Sequence, residues 1–178
     1  LYYEDQYMKE FEAKVLKAID NEYVVLKKTC FYPEGGGQPA DNGYLIFDKN
    51  KAEVVDVQKV GRVIVHKMKG KAVPKEGSNV KGVIDWDRRY SLMKSHTATH
   101  LVNGAARRVL GQHVWQFGTQ KGIQSSRLDI SHYRRLTPEE IHKIEILANQ
   151  EILQNMQVET AWIPRNEAES RYGFRLYQ

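Results

Sequence analysis

The apolar residues of this chain change their period near residue 86, and that change constrains the fold more than any other feature of the sequence. In the first half, Phe11, Ala13 and Val15 alternate with charged residues, the pattern of a half-buried strand. Asp20-Asn21 is a turn signal, and short apolar runs follow at 23–26, 44–47, 54–57, 63–66 and 80–84. Asp-Asn-Gly, Asp-Lys-Asn-Lys, Gly-Arg and a Pro74-containing stretch separate them. This spacing predicts a small all-β barrel over residues 1–86. From 87 to 110 the pattern turns helical, with Asp87 near the start and Gly111 as a stop. A strand-and-loop region comes next, and Thr137-Pro-Glu-Glu140 then supplies an N-cap, a proline in the first turn and a capping-box glutamate. Ile141, Ile144, Ala148 and Ile152 are the expected buried stripe of that helix. Residues 158–163 read as a strand ended by Pro164, and 165–171 as a short helix before Gly173. The expected class is α+β, with a barrel domain at 1–86 and a second domain at 87–178.

Composition narrows the function classes. A chain of 178 residues, 41% of them hydrophobic, can bury a core, which argues against disorder. Its single cysteine, Cys30, makes an internal disulfide impossible, so a disulfide-stapled secreted fold is excluded. No apolar run approaches the roughly 18–20 residues of a membrane span. The sequence opens Leu1-Tyr-Tyr-Glu-Asp, with no basic stretch ahead of an apolar one, so the expected compartment is the cytoplasm, with no membrane partner. The net charge of +5 is unevenly spread. Residues 1–85 hold 14 Lys/Arg and 13 Asp/Glu, residues 86–136 hold 9 and 2, and residues 137–178 hold 4 and 7. The middle segment therefore carries +7, the footprint of either a polyanion partner or a solvated basic face.

Three groups of residues could carry chemistry. His96 and His100 stand at i and i+4 of the expected helix, where two imidazoles can share a metal. At about 100° per residue, Ala98, Leu101, Val102, Ala105, Ala106 and Val109 gather on one arc, and His96 and His100 on another with Asn103 and Arg107. The pair is then either a ligand pair or a solvent-facing one. Thr97 stands where a zinc protease needs its glutamate, so proteolysis is a poor reading. Zinc needs further ligands, and Cys30, His66, His113, His132 and His142 are the other candidates. The second group is Gly35, Gly36, Gly37 and Gln38. Three adjacent glycines fit either close approach of another molecule or a tight β connection. Gln116, in His113-Val-Trp-Gln-Phe-Gly118, offers a donor and an acceptor suited to a small hydroxyl or amine, or is an ordinary surface glutamine.

Taken in order, these pieces resemble the editing region of alanyl-tRNA synthetases and their free-standing AlaX relatives. The resemblance rests on Phe31-Tyr-Pro-Glu-Gly-Gly-Gly-Gln38 with Asp41 and Gly43, His96-Thr-Ala-Thr-His100, His113-Val-Trp-Gln-Phe-Gly118 and Arg127-Leu-Asp-Ile-Ser-His132. Arg171-Tyr-Gly-Phe-Arg-Leu-Tyr-Gln178 is similar to the approach to the family's last zinc motif.

The resemblance implies a β-barrel followed by an α+β editing domain with helices packed on an antiparallel sheet. It implies hydrolysis of the aminoacyl ester of alanine tRNA mischarged with serine or glycine. Zinc would be held by His96 and His100 with a later Cys-x-x-x-His pair, and Gln116 would recognise the wrong amino acid. Gly35, Gly36, Gly37, Gln38, Thr97, Arg107 and Gly118 would lie near the substrate or the tRNA end. The basic segment, with Arg88, Arg89, Lys94, Arg107, Arg108, Lys121, Arg127, Arg134 and Arg135, would contact phosphates. Gln178 precedes any Cys-x-x-x-His, so the editing domain is expected to be incomplete here. Attachment to an ATP-using class II aminoacylation domain and a C-terminal domain is the corresponding expectation. An AlaX deacylase and a non-catalytic tRNA-binding module are the alternatives.

Overall fold

The computed structural model describes residues 1–70 and 72–177; Gln178, the end of the expected second domain, lies outside them. Six antiparallel strands form a closed barrel: β1 (Glu10–Ile19), β2 (Tyr23–Leu26), β3 (Gly43–Phe47), β4 (Asn50–Val60), β5 (Val63–Lys69) and β6 (Asn79–Ile84), in the order β1-β2-β5-β4-β3-β6. In β1 the alternation acts as read, burying Phe11, Ala13 and Val15 and leaving Glu10, Glu12 and Lys14 exposed. Asp20 and Asn21 take φ of 52° and 50°, and the Glu22 N–H closes the turn on Ile19 O at 3.0 Å. Along β4 the buried positions run Ala52, Val54, then Val57. The register shifts between Val54 and Asp56, and one extra residue turns the alternation to its other phase. Phe31, Leu45, Val24 and Val54 are fully enclosed in the barrel core.

After the barrel come α1 (Trp86–Leu110), β7 (Gln116–Gln120), β8 (Arg127–Ile130), α2 (Pro138–Leu153), α3 (Arg165–Tyr172) and a 3-10 turn, Gly173–Tyr177. β7 and β8 form a separate two-stranded sheet. Two compact units result: Leu1–His96 with Gln120–Ser126, and Thr97–Thr119 with Arg127–Gln178. The first turns of α1 therefore belong with the barrel, beyond the expected division at residue 86. The Asp85 carboxylate caps this helix by accepting from the Arg88 N–H at 3.2 Å, and Asp87 sits in the first turn. Gly111, at φ 118°, ends it.

Ala105, Ala106, Val114, Ile144 and Ala148 form the core of the second unit, with Ile130 and Leu147 packed against it. Three expectations are corrected here. On α1 the buried residues include Leu92, Thr99 and Asn103, whereas Val102 is exposed, because a helix shared by two units does not keep one apolar arc throughout. On α2 only Ile144 and Ala148 are buried, since the small core reaches the middle of the helix; Ile141 and Ile152 are more than half exposed. Residues 158–163 form no strand. No other described strand pairs with them to satisfy their backbone groups, and Val158 and Trp162 stand exposed. The capping box holds as read: Thr137 Oγ1 accepts from Glu140 N–H, and Glu140 accepts from Thr137 N–H. Arg134, and then Thr137, keep the Glu140 carboxyl ionised down to about 2.

Candidate functional site

The glycine-rich segment is pinned from several sides within the first unit. Asp41 and Arg89 are both buried, and the Arg89 Nε donates to both carboxylate oxygens at 2.9 Å. Arg89 also donates to the Cys30 and Gln6 carbonyls, while Asp41 accepts from the Tyr32 N–H at 2.7 Å. Between these anchors, the Gly35 and Gln38 backbones exchange hydrogen bonds at 3.0 and 3.1 Å. Gly36 and Gly37 fill the turn with φ of 58° and 74°, a region that residues with a Cβ rarely occupy. The glycines form a tight connection, and this connection also presents side chains. Gln38 is buried, and its Oε1 lies 2.8 Å from Nδ1 of His96. Lys121, also buried, donates its Nζ to Gly36 O and its backbone N–H to Gly37 O at 2.7 Å. Burial pushes the Lys121 ammonium pKa down.

In the second unit, His100 and Thr97 lie exposed on α1. Gln116 opens β7 half-buried, and its Oε1 is enclosed without a hydrogen-bond partner. The Arg107 guanidinium lies 3.9 Å over the Trp115 ring and donates through Nε to Gln112 at 2.9 Å, leaving Nη1 enclosed and unpartnered. Asn103, one turn before Arg107, has an enclosed Oδ1 in the same condition. Gly118 makes room for Asp129: a Cβ there would stand 2.9 Å from its Oδ2. His113 and His132, 19 residues apart, meet with ring nitrogens 2.9 Å from one another and rings stacked at 5.1 Å. No short spacing signalled that pair.

The other metal candidates have surroundings of their own. His66 is fully buried in the barrel. Its Nδ1 donates to Val24 O at 3.0 Å, since a carbonyl can only accept, so its Nε2 accepts from Thr29 Oγ1 at 2.9 Å. Burial pushes the Cys30 thiol up to about 11, which leaves it protonated and a poor ligand. His142 is exposed on α2 beside Glu145. Among the described residues, no three His, Cys, Asp or Glu side chains gather as a metal site. His96 and His100 are donors of the right kind for zinc, in half the number it takes.

The charge reading is also corrected. Arg89 and Lys121 are buried and spent on internal contacts, so neither meets a phosphate. Arg108, Arg127 and Arg134 pair with Glu151, Asp129 and Glu140.

Residues 4–88, the barrel and the start of α1, match the family of tRNA synthetases class II (A). All 178 residues align with the alanine-tRNA ligase of Pyrobaculum neutrophilum at 56% identity, covering 20% of that protein. Its homologues are alanine-tRNA ligases. The ligase of Pyrococcus furiosus is 55% identical over the same 178 residues, 19% of its length, and that of Caldivirga maquilingensis 54%, 20% of its length. The chain thus spans about a fifth of the alanine-tRNA ligases it matches, and its homology includes the glycine turn, the histidine helix and the Gln116 strand.

Proposed function

We propose that this chain is the editing part of an alanine-tRNA ligase and hydrolyses the ester of alanine tRNA mischarged with serine or glycine. Glycine has no hydroxyl, and the observation that carries the serine part of this reading is the enclosed, unpartnered Oε1 of Gln116. What it lacks is a donor. A serine hydroxyl supplies one and alanine does not, so bound alanine would leave a buried acceptor unpaired at a cost of about 1–3 kcal/mol. Discrimination of this kind is what a second hydrolytic site offers where a small apolar pocket cannot separate the two amino acids by size.

Other residues of the chain take roles that suit a charged tRNA end. Nη1 of Arg107 is a donor held over Trp115 and suits a phosphate or ester oxygen. Gly35, Gly36, Gly37, Gln38, Thr97 and Gly118 are assigned to the substrate or tRNA-binding surface. His96 and His100 would supply two zinc ligands, with the rest contributed from outside the described residues. Bound zinc would supply Lewis-acid polarisation of the ester carbonyl or of the attacking water. The length of the homologues favours a ligase, with an ATP-using aminoacylation domain and a C-terminal domain, over a free-standing AlaX protein. We assign the activity to the cytoplasm, a compartment where tRNA is charged.

The test is deacylation of serine-charged and alanine-charged alanine tRNA by a full-length ligase that contains this sequence. Wild type should release serine, and Gln116→Ala should lower kcat/KM for the serine ester by about 10- to 100-fold and raise residual alanine release, since no acceptor is then left unpaired. Equal selectivity in wild type and Gln116→Ala would refute the hydroxyl-reading role. Serine ester that survives the wild-type enzyme would favour the non-catalytic RNA-binding module.

A further inference from the structure

Gln38 reaches His96 from 58 residues away in sequence, and the chemistry of the two groups fixes the direction of their hydrogen bond. An amide oxygen has no proton to give. At 2.8 Å from Gln38 Oε1, Nδ1 of His96 must therefore carry a proton, and in the neutral ring this makes Nε2 the nitrogen with the unshared electron pair. We infer that Gln38 is a positioning residue: it holds His96 as the Nδ1–H tautomer and turns Nε2 into the electron-pair donor of the histidine helix. The inference rests on the proposed function for its purpose, but not for its geometry.

Three further observations support it. Gln38 is only 3% exposed, so its amide is held by its surroundings rather than by solvent. The turn that carries it is itself fastened, by Lys121 on the carbonyls of Gly36 and Gly37 and by the mutual bonds of Gly35 and Gln38. Ser95, the residue before His96, donates to Gly122 O at 3.1 Å and so ties the same stretch of helix to the segment that carries Lys121. Gly36 lies beside the same ring: a Cβ there would stand 3.4 Å from Cε1 and 3.7 Å from Nε2 of His96, ordinary contact distances. The glycine turn thus meets the imidazole with backbone on one side and with an acceptor on Nδ1. Ligating histidines commonly have their second nitrogen fixed in this way, and losing the fixing partner typically costs 10- to 100-fold in metal affinity.

The experiment reads the tautomer directly, without metal. In the 178-residue chain labelled with 15N-histidine and held at pH 8, long-range proton–nitrogen correlation should show His96 protonated at Nδ1 and bare at Nε2. Gln38→Met keeps the shape but removes the acceptor, and should replace that pattern with a mixture of tautomers while the backbone spectrum stays folded. Should Gln38→Met unfold the chain, Gln38→Glu retains an acceptor and should preserve the Nδ1–H pattern. Protonation of wild-type His96 at Nε2, an unchanged pattern in folded Gln38→Met, or loss of the pattern in Gln38→Glu would each overturn the inference. A second arm measures zinc retention by the full-length ligase against a competing chelator, where Gln38→Met should weaken binding about 10- to 100-fold and Gln38→Glu should not. An Nδ1–H His96 in a ligase that leaves serine ester intact would refute the editing function and leave the role of Gln38 standing.

Discussion

His66 illustrates at the residue scale how burial decides what a side chain can do. It is a histidine in a protein whose proposed chemistry uses histidines, yet both its ring nitrogens are spent inside the barrel, on Val24 O and Thr29 Oγ1. Desolvation lowers its pKa to about 4, so it folds as the neutral base. The unfolded chain binds this proton near pH 6.5 and the folded chain only near pH 4, so stability is whole above pH 6.5 and is lost progressively as pH falls toward 4. The loss from this group should be about 3 kcal/mol across that window. Urea denaturation at pH 7, 5.5 and 4 checks it: His66→Gln should flatten the decline, and an equally steep decline in that variant would exclude His66 as its source. Gln116 is the opposite case. Its enclosed acceptor is unsatisfied, and an unpaired buried oxygen is a stability cost that a ligand can relieve.

At the element scale, the Asp41–Arg89 pair matters most, because it joins the end of the glycine-rich segment to the first turns of α1 within the first unit. Both side chains are removed from water, and Arg89 also holds the Cys30 and Gln6 carbonyls. Removing one partner strands a buried charge. Arg89→Met should therefore destabilise by about 3–5 kcal/mol, and pairing it with Asp41→Asn should recover part of that loss, because no charge is then left uncompensated. Guanidinium melts of the two single variants and the double variant measure the coupling, and strictly additive losses would argue against it. α2 depends on a smaller local device. Its capping box was readable in Thr137-Pro-Glu-Glu140 because a cap is made by residues three apart. The buried face of the same helix was overread at Ile141 and Ile152, since periodicity marks which residues share a face but not how far the neighbouring core extends along it.

For the whole molecule, the +7 of residues 86–136 is smaller in effect than in count. Arg89 and Lys121 are internal, and three arginines are matched by carboxylates. Lys94, beside the Tyr90 ring, and Arg135 remain exposed, and they are the cations that a polyanion can most readily use. If the proposed function holds, replacing both with alanine should weaken tRNA binding and reduce the slope of log affinity against log salt by about 1.5–2, the amount expected for two lost phosphate contacts. Fluorescence anisotropy across a potassium chloride series reads this, and an unchanged slope would remove both residues from the RNA surface. The sequence by itself determined the six barrel strands, the capped start of α2, the barrel class and the candidate motifs, because alternation, turn chemistry and capping act between residues close in the chain. Only the tertiary structure decided which charges are buried, which histidine is inert, and that Gln38 lies against His96. Those outcomes depend on residues dozens of positions apart being brought together and stripped of water, and no local pattern encodes a contact of that kind.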